Sequence, residues 1–173
     1  MPRKPDNFSK QDFFARLPIS AEVQDKFKIY HDLLVKWQKK INLIGPKTVE
    51  QIWERHFLDS AQLYQFIPKP DQDVIVDLGS GAGFPALILS IMGCRHITAV
   101  EVDHRKCIFM QEVTRLTDAP ARILNQKIEK LEEVEADIIT ARALASVTDL
   151  LSMGLPLLKK DGVFLLLKGE NWE

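Results

Sequence analysis

Cysteine is scarce, charge is almost balanced, and no apolar stretch is long enough to cross a bilayer. Cys94 and Cys107 are the two cysteines of 173 residues, and they are not spaced like a metal site. They read as free, mostly buried thiols, which excludes a disulfide framework. A net charge of −1 argues against a dedicated nucleic-acid domain, whose footprint is strongly basic. Local basic patches remain at Lys36 to Lys40, Arg55-His56, Arg105-Lys106, Lys159-Lys160 and Lys168, each of which by itself suits a solvated face. The opening "MPRKPDNFSKQDFF" has no apolar leader core, and no run approaches the ~20 apolar residues of a membrane span. The expectation is a cytoplasmic protein with no membrane contact. Low-complexity tracts and internal repeats are also missing. What is present, 46% hydrophobic and 27% charged residues, is the composition of one globular domain with a proper core.

The chain divides near Pro68 and Pro70. Before them, Ser20 can cap a helix whose apolar residues Val23, Phe27, Tyr30, Leu34, Trp37 and Ile41 recur at helical spacing. Gly45-Pro46 breaks it, and Thr48 with Gln51 matches a capping box for a second helix running to residue 66. Residues 1–67 are therefore expected to be a helical part. Beyond them, apolar runs at 74–79, 97–103, 121–126, 136–141 and 162–168 alternate with helical segments at 85–93, 104–116 and 146–160. The first and last runs are continuous enough for strands covered on both faces. Strand–helix alternation predicts an α/β fold: a doubly wound, mostly parallel, Rossmann-like sheet over 68–173, within a single domain over 1–173.

Ligands of such sheets sit beyond the carboxyl ends of the strands. The first strand ends there in "VDLGSGAGFP", residues 76–85. Gly79 and Gly81 allow positive φ and close approach of backbone N–H groups, and Pro85 suits the first turn of a helix. A dinucleotide fingerprint requires glycine where Phe84 stands. Asp77 would also set a carboxylate against a pyrophosphate. A phosphate-free ligand with a cationic end fits better, and S-adenosylmethionine is one. Glu101, 22 residues after Gly79, falls where an acidic residue accepts ribose hydroxyls.

The chain resembles a known family in seven segments taken in order: "INLIG", "RHFLDSAQL", "VDLGSGAGFP", "VEVDHRKCIFMQ", "NQKIEKLEE", "TARALA" and "LLLKG". The family is the bacterial small-subunit ribosomal RNA guanine-N7 methyltransferases, also known as the glucose-inhibited division protein B family. The likeness runs from Val23 to Lys168. It implies an S-adenosylmethionine-dependent enzyme that methylates N7 of one guanine in 16S ribosomal RNA, with the RNA or the small subunit as partner; separately, a monomer is expected. By the same resemblance Gly79 and Phe84 would lie on the cofactor, Ile128 and Glu129 on its adenine side, and Arg142 beside the active site. Gly81, Asp77 and Glu101 complete the expected cofactor set. Arg105, Lys106 and Lys168 are the candidate RNA contacts. His56 reads as a buried hydrogen-bonded histidine and not as a base, Asp59-Ser60 as helix polar structure, and Trp37 and Trp53 as core.

N7 of guanine carries a lone pair and no proton, so methyl transfer to it needs no general base, only alignment of the two reactants. No catalytic residue is therefore expected, and no metal. In agreement, the fourth strand ends in "TARA" with no Pro-Pro dipeptide of exocyclic-amine methyltransferases, and no Pro-Cys nucleophile is present. Methyltransferases acting on oxygen or on small molecules share these absences. Members of the family continue some tens of residues past "LKG", so the chain is expected to lack the family's last strands and to leave the final strand at an exposed edge. Three rivals stay open. One is a methyltransferase for a small-molecule or protein substrate, the second a truncated remnant that only binds cofactor or RNA, and the third a nicotinamide dehydrogenase, which Asp77 and Phe84 oppose.

Overall fold

The computed structural model describes residues 8–132, 134–142 and 145–167. Its N-terminal part opens with α1 (Lys10–Arg16). There the Ser9 hydroxyl accepts from the Asp12 N–H at 3.2 Å and the Asp12 carboxylate accepts from the Ser9 N–H at 2.7 Å. This reciprocal cap ties two backbone donors that the helix itself cannot satisfy. α2 (Ala21–Gln38) is capped by Ser20 as expected. Phe27, Tyr30 and Leu34 are buried, with Val23, Trp37 and Ile41 packed at the margin of the same core. Trp53 lies against Phe13 and Phe57, and Trp37 against Phe109, which makes both tryptophans core residues.

The second helix differs from expectation. Residues 46–66 wind first as a 3₁₀ turn (Pro46–Gln51), then as wide π-type turns (Ile52–Leu58), then as the short α3 (Asp59–Ala61) and a closing 3₁₀ turn (Gln62–Phe66). Thr48 caps nothing here; its hydroxyl donates to the Gly45 carbonyl at 2.8 Å. Wide turns are found at functional sites. In this chain they bring Ile52, His56, Phe57 and Ala61 inward together.

Five parallel strands follow: β1 (Val74–Leu78), β2 (His96–Glu101), β3 (Arg122–Asn125), β4 (Ala136–Arg142) and β5 (Leu158–Leu167). Their order is β3-β2-β1-β4-β5. Between them lie α4 (Ala86–Met92), α5 (His104–Thr117) and α6 (Val147–Gly154). Alternate residues of each strand face opposite sides, and each side has its own core. Ile75, Ile97, Ala99 and Ile138 join residues of α2, α4 and α5. Val76, Leu78, Val100, Ile139 and Ala141 join Leu150 and Leu157. The sheet is thus doubly wound, and the N-terminal helices share the larger core.

The largest boundary shifts from the sequence reading fall at the last helix and the last strand. The last helix ends at Gly154, because Pro156 has no N–H to continue it and a 3₁₀ turn replaces it at Leu155–Leu157. Residues 158–160 therefore belong to β5. That strand pairs with β4 at one end of the sheet; Leu165 and Leu167 pack on the larger core and Phe164 and Leu166 on the smaller, so both faces are covered there, while Val163 nearer its start is 46% exposed.

Candidate functional site

Three glycines turn the chain between β1 and α4 with positive φ: 66° at Gly79, 59° at Gly81 and 94° at Gly83. The third was not singled out in the sequence. Ser80 N–H donates to the Val100 carbonyl at 3.0 Å and Gly81 N–H to Glu101 Oε2 at 2.8 Å, which fastens the loop to the end of β2. The other Glu101 oxygen accepts the Asp103 N–H at 2.8 Å. From the opposite side the buried Tyr30 hydroxyl donates to the Ala82 carbonyl. The loop is held at both flanks, with the open side facing the strand ends.

A cavity of about 340 Å³ lies there. Gly79, Glu101, Ile128 and Glu129 line it, with Val102 and Met153 adding apolar wall. Four of the eight expected cofactor residues thus converge on one space. Val102 and Met153 were missed by sequence reasoning, since an apolar residue after a strand or on a helix carries no signal of its own.

Three of the other four, Asp77, Phe84 and Arg142, lie on the side of the sheet that faces the N-terminal helices. Asp77 is fully buried beneath the loop, where Oδ1 accepts the Thr140 hydroxyl at 2.7 Å and Oδ2 has no partner among the described residues. Burial raises its pKa to about 7, against the nearby Ser80 hydroxyl, the Thr140 hydrogen bond and the Arg142 charge; the Ser80 hydroxyl itself donates to the Asp77 backbone carbonyl at 3.3 Å. So Asp77 does not stand on the cavity wall, and its carboxyl is only partly ionised at neutral pH. Phe84 is buried in the aromatic core. The Arg142 guanidinium lies 4.6 Å from its ring centroid and approaches the His56 Nδ1 to 2.6 Å. Gly81 belongs to the loop itself. Among the described residues Arg142 forms no ion pair with a carboxylate. His56 is buried and hydrogen-bonded as read; desolvation first, then the Arg142 and Arg55 charges, lower its pKa to about 3.

Of the candidate RNA contacts, Arg105 and Lys106 sit in the first turn of α5, just past the end of β2. Arg105 is exposed and 3.6 Å from Asp103. Lys168 lies outside the described residues. No group of three or more metal-ligating side chains occurs among the described residues, and none of the described helices is long and apolar enough to cross a membrane.

A family model described as rRNA small subunit methyltransferase G matches residues 23–173. The chain belongs to this family. A small-subunit rRNA methyltransferase G of Paramagnetospirillum magneticum is 45% identical over 94% of the chain and 79% of its own length. The corresponding protein of Rhodospirillum centenum is 44% identical over 95% and 76%. Among solved structures, a T. thermophilus 16S rRNA N2 methyltransferase in complex with AdoMet and guanosine superposes with a TM-score of 0.57. It is 22% identical over 76% of this chain and 36% of its own length, so that likeness speaks for the methyltransferase fold alone. Membership in the methyltransferase G family makes the chain an S-adenosylmethionine-dependent methyltransferase.

The residues present fit that cofactor. Asp77 Oδ2 is an orphaned buried acceptor beside a cationic Arg142, a pairing that suits the ammonium and carboxylate of an amino acid. Glu101 and the apolar wall at Ile128 suit a ribose and an adenine.

Proposed function

We propose that this chain transfers the methyl group of S-adenosylmethionine to N7 of one guanine in 16S ribosomal RNA, acting in the cytoplasm as a monomeric single domain on the small subunit or its RNA. The observation that carries the reading is the convergence of Gly79, Glu101, Ile128 and Glu129 on one cavity at the strand ends, in a chain of this family. When bound, the cofactor supplies an electrophilic methyl group on a sulfonium. The chain's own residues hold and orient. Glu101 takes the ribose, Ile128 and Glu129 the adenine side, Gly79 and Gly81 give backbone approach, and Asp77, Phe84 and Arg142 close the amino-acid end.

Transfer to N7 requires no base. His56 stays neutral with its Nδ1 facing Arg142, and both Glu101 oxygens already accept backbone N–H groups. The His56 Nδ1 lone pair is engaged by Arg142, Glu101 is committed to the loop backbone and the ribose, and N7 presents no proton to remove. Catalysis then rests on alignment, for which effective molarities near 10⁵ M and above are on the order expected. Arg105, Lys106 and Lys168 would meet RNA phosphates, with shape of the folded RNA supplying more of the recognition than net charge.

Small subunits from a strain lacking the gene, incubated with the protein and labelled cofactor, should yield N7-methylguanosine in digested 16S rRNA on mass spectrometry. Label in another nucleoside, or none with cofactor bound, would reject the reading.

A further inference from the structure

The segments "INLIG" and "RHFLDS" do not line the cavity, yet the structure ties both to the end of β4. Gln38 clasps the first: its Oε1 accepts the N–H groups of Leu43 and Ile44 at 2.8 and 3.0 Å, and its Nε2 donates to the Ile44 carbonyl at 2.9 Å. Next to it, the Thr48 hydroxyl lies 2.8 Å from the Gly45 carbonyl and 2.8 Å from His56 Nε2. On the other edge of the ring, Nδ1 is 2.6 Å from an Arg142 guanidinium nitrogen.

The direction of every bond in this chain follows from its ends. A guanidinium only donates and a carbonyl only accepts. Arg142 therefore donates to Nδ1, Nε2–H donates to Thr48, and Thr48 donates to Gly45. One imidazole form satisfies this, the neutral ring with its proton on Nε2. A protonated ring would point N–H at N–H. The charged neighbours agree: Arg142 on β4 and Arg55 on the same segment both oppose a cation here, while Asp77 and Asp59 face Arg142.

We propose that His56 is a positioning residue for methyl transfer: with Thr48 behind it, it holds the Arg142 guanidinium over the Phe84 ring and so fixes the group that receives the amino-acid end of the methyl donor. This rests on the cofactor role given to Arg142 above. It also accounts for two motifs that touch no ligand. They form the anchor from which an arginine at a strand end is aimed, since an unanchored Arg keeps several rotatable bonds and loses that entropy on each binding event.

The test has two arms. In the first, ¹⁵N NMR of the intact protein without cofactor reads His56 directly; the expected spectrum is a neutral ring protonated on Nε2 at both pH 7 and pH 5. An imidazolium, or a proton on Nδ1, at pH 7 would overturn the proposal. In the second, titration calorimetry and methylation kinetics follow His56→Phe, His56→Asn, Arg142→Ala and the double variant His56→Phe/Arg142→Ala. His56→Phe should raise the AdoMet Kd about tenfold, the loss of one hydrogen bond to a charged group. His56→Asn, which keeps an acceptor near the Nδ1 position, should recover to within about threefold. In the Arg142→Ala background, His56→Phe should add nothing, because its effect passes through Arg142. A full tenfold loss in that background, or wild-type affinity in folded His56→Phe, would reject it. Failure of wild-type protein to bind AdoMet would instead sink the cofactor assignment, and the NMR arm would still decide the hydrogen-bond chain.

Discussion

On the β2 and β3 side of the crevice, Gly79, Glu101, Ile128 and Glu129 stand around an open cavity. On the α2 side, Phe84 is packed against Tyr30 and Phe57 in an aromatic core, and His56 and Arg142 lie against Phe84. The first wall is held by backbone N–H groups reaching a carboxylate, the second by stacked rings and one directed chain of hydrogen bonds. A substitution on the open wall should therefore alter ligand binding with little loss of stability. On the closed wall the two should fall together, because the groups that meet the ligand are also the core.

The glycine loop spans both walls, so its glycines give the largest contrast. A Cβ on Gly83 would come within 2.6 Å of Leu87 Cγ and 3.0 Å of the Tyr30 hydroxyl, at a φ of 94°. On Gly81 the nearest atom is the Gly79 carbonyl oxygen at 4.0 Å. Gly83→Ala should lower unfolding free energy by about 3 kcal/mol, overpacking added to backbone strain, and Gly81→Ala by about 1 kcal/mol, the backbone component alone. Urea unfolding of the two variants checks this. Equal losses would erase the distinction between the walls.

These walls were unequally legible in the sequence. Half of the open one, Gly79 and Glu101, is readable from spacing, because a strand, a glycine turn and an acid at the end of the next strand are positions that local mechanics dictates. Ile128 and Glu129 came from family resemblance, since nothing in "KIEK" by itself marks a ligand. The closed wall was hidden. That His56 is buried could be read from its place among helix residues, but its bond to Arg142 joins positions 86 residues apart. Sequence spacing has no access to such a contact. The same holds for the π-type turns at Ile52–Leu58: "TVEQ" offers a good capping box locally, and the tertiary demand to bury His56 and Phe57 together prevails over it.

Two titrations sharpen the comparison further. Asp77 has its pKa raised to about 7, so between its unfolded value near 4 and pH 7 the folded state holds the extra proton; stability from this group falls as pH rises through that window. His56 is lowered to about 3, so between pH 6.5 and 3 the unfolded state holds the extra proton, and stability from this group falls as pH drops. Over pH 4 to 6.5 the two slopes oppose each other. Asp77→Asn should leave a protein whose stability climbs with pH across that range, and which exceeds wild type at pH 8 by about 2 kcal/mol. His56→Asn should tilt the other way. Unfolding curves at pH 4.5, 6 and 8 measure both tilts, and parallel profiles for the two variants would show that neither group titrates out of register with the unfolded chain.

Ile128 tests the open wall at its mildest. It is only partly buried, packed at the edge of the smaller core, while also facing the cavity. Trimming it to alanine removes apolar surface that a bound adenine would cover, a loss of about 1 kcal/mol or fivefold in AdoMet Kd. Its other side packs on the smaller core, so Ile128→Ala should also lower the unfolding free energy, by about 1 kcal/mol. Because the adenine is remote from the sulfonium, turnover at saturating cofactor should not change; the loss is in binding held equally by ground and transition states. A fall in kcat with unchanged Kd would place Ile128 away from the adenine and leave Gly79, Glu101 and Glu129 to support the cofactor on the open wall.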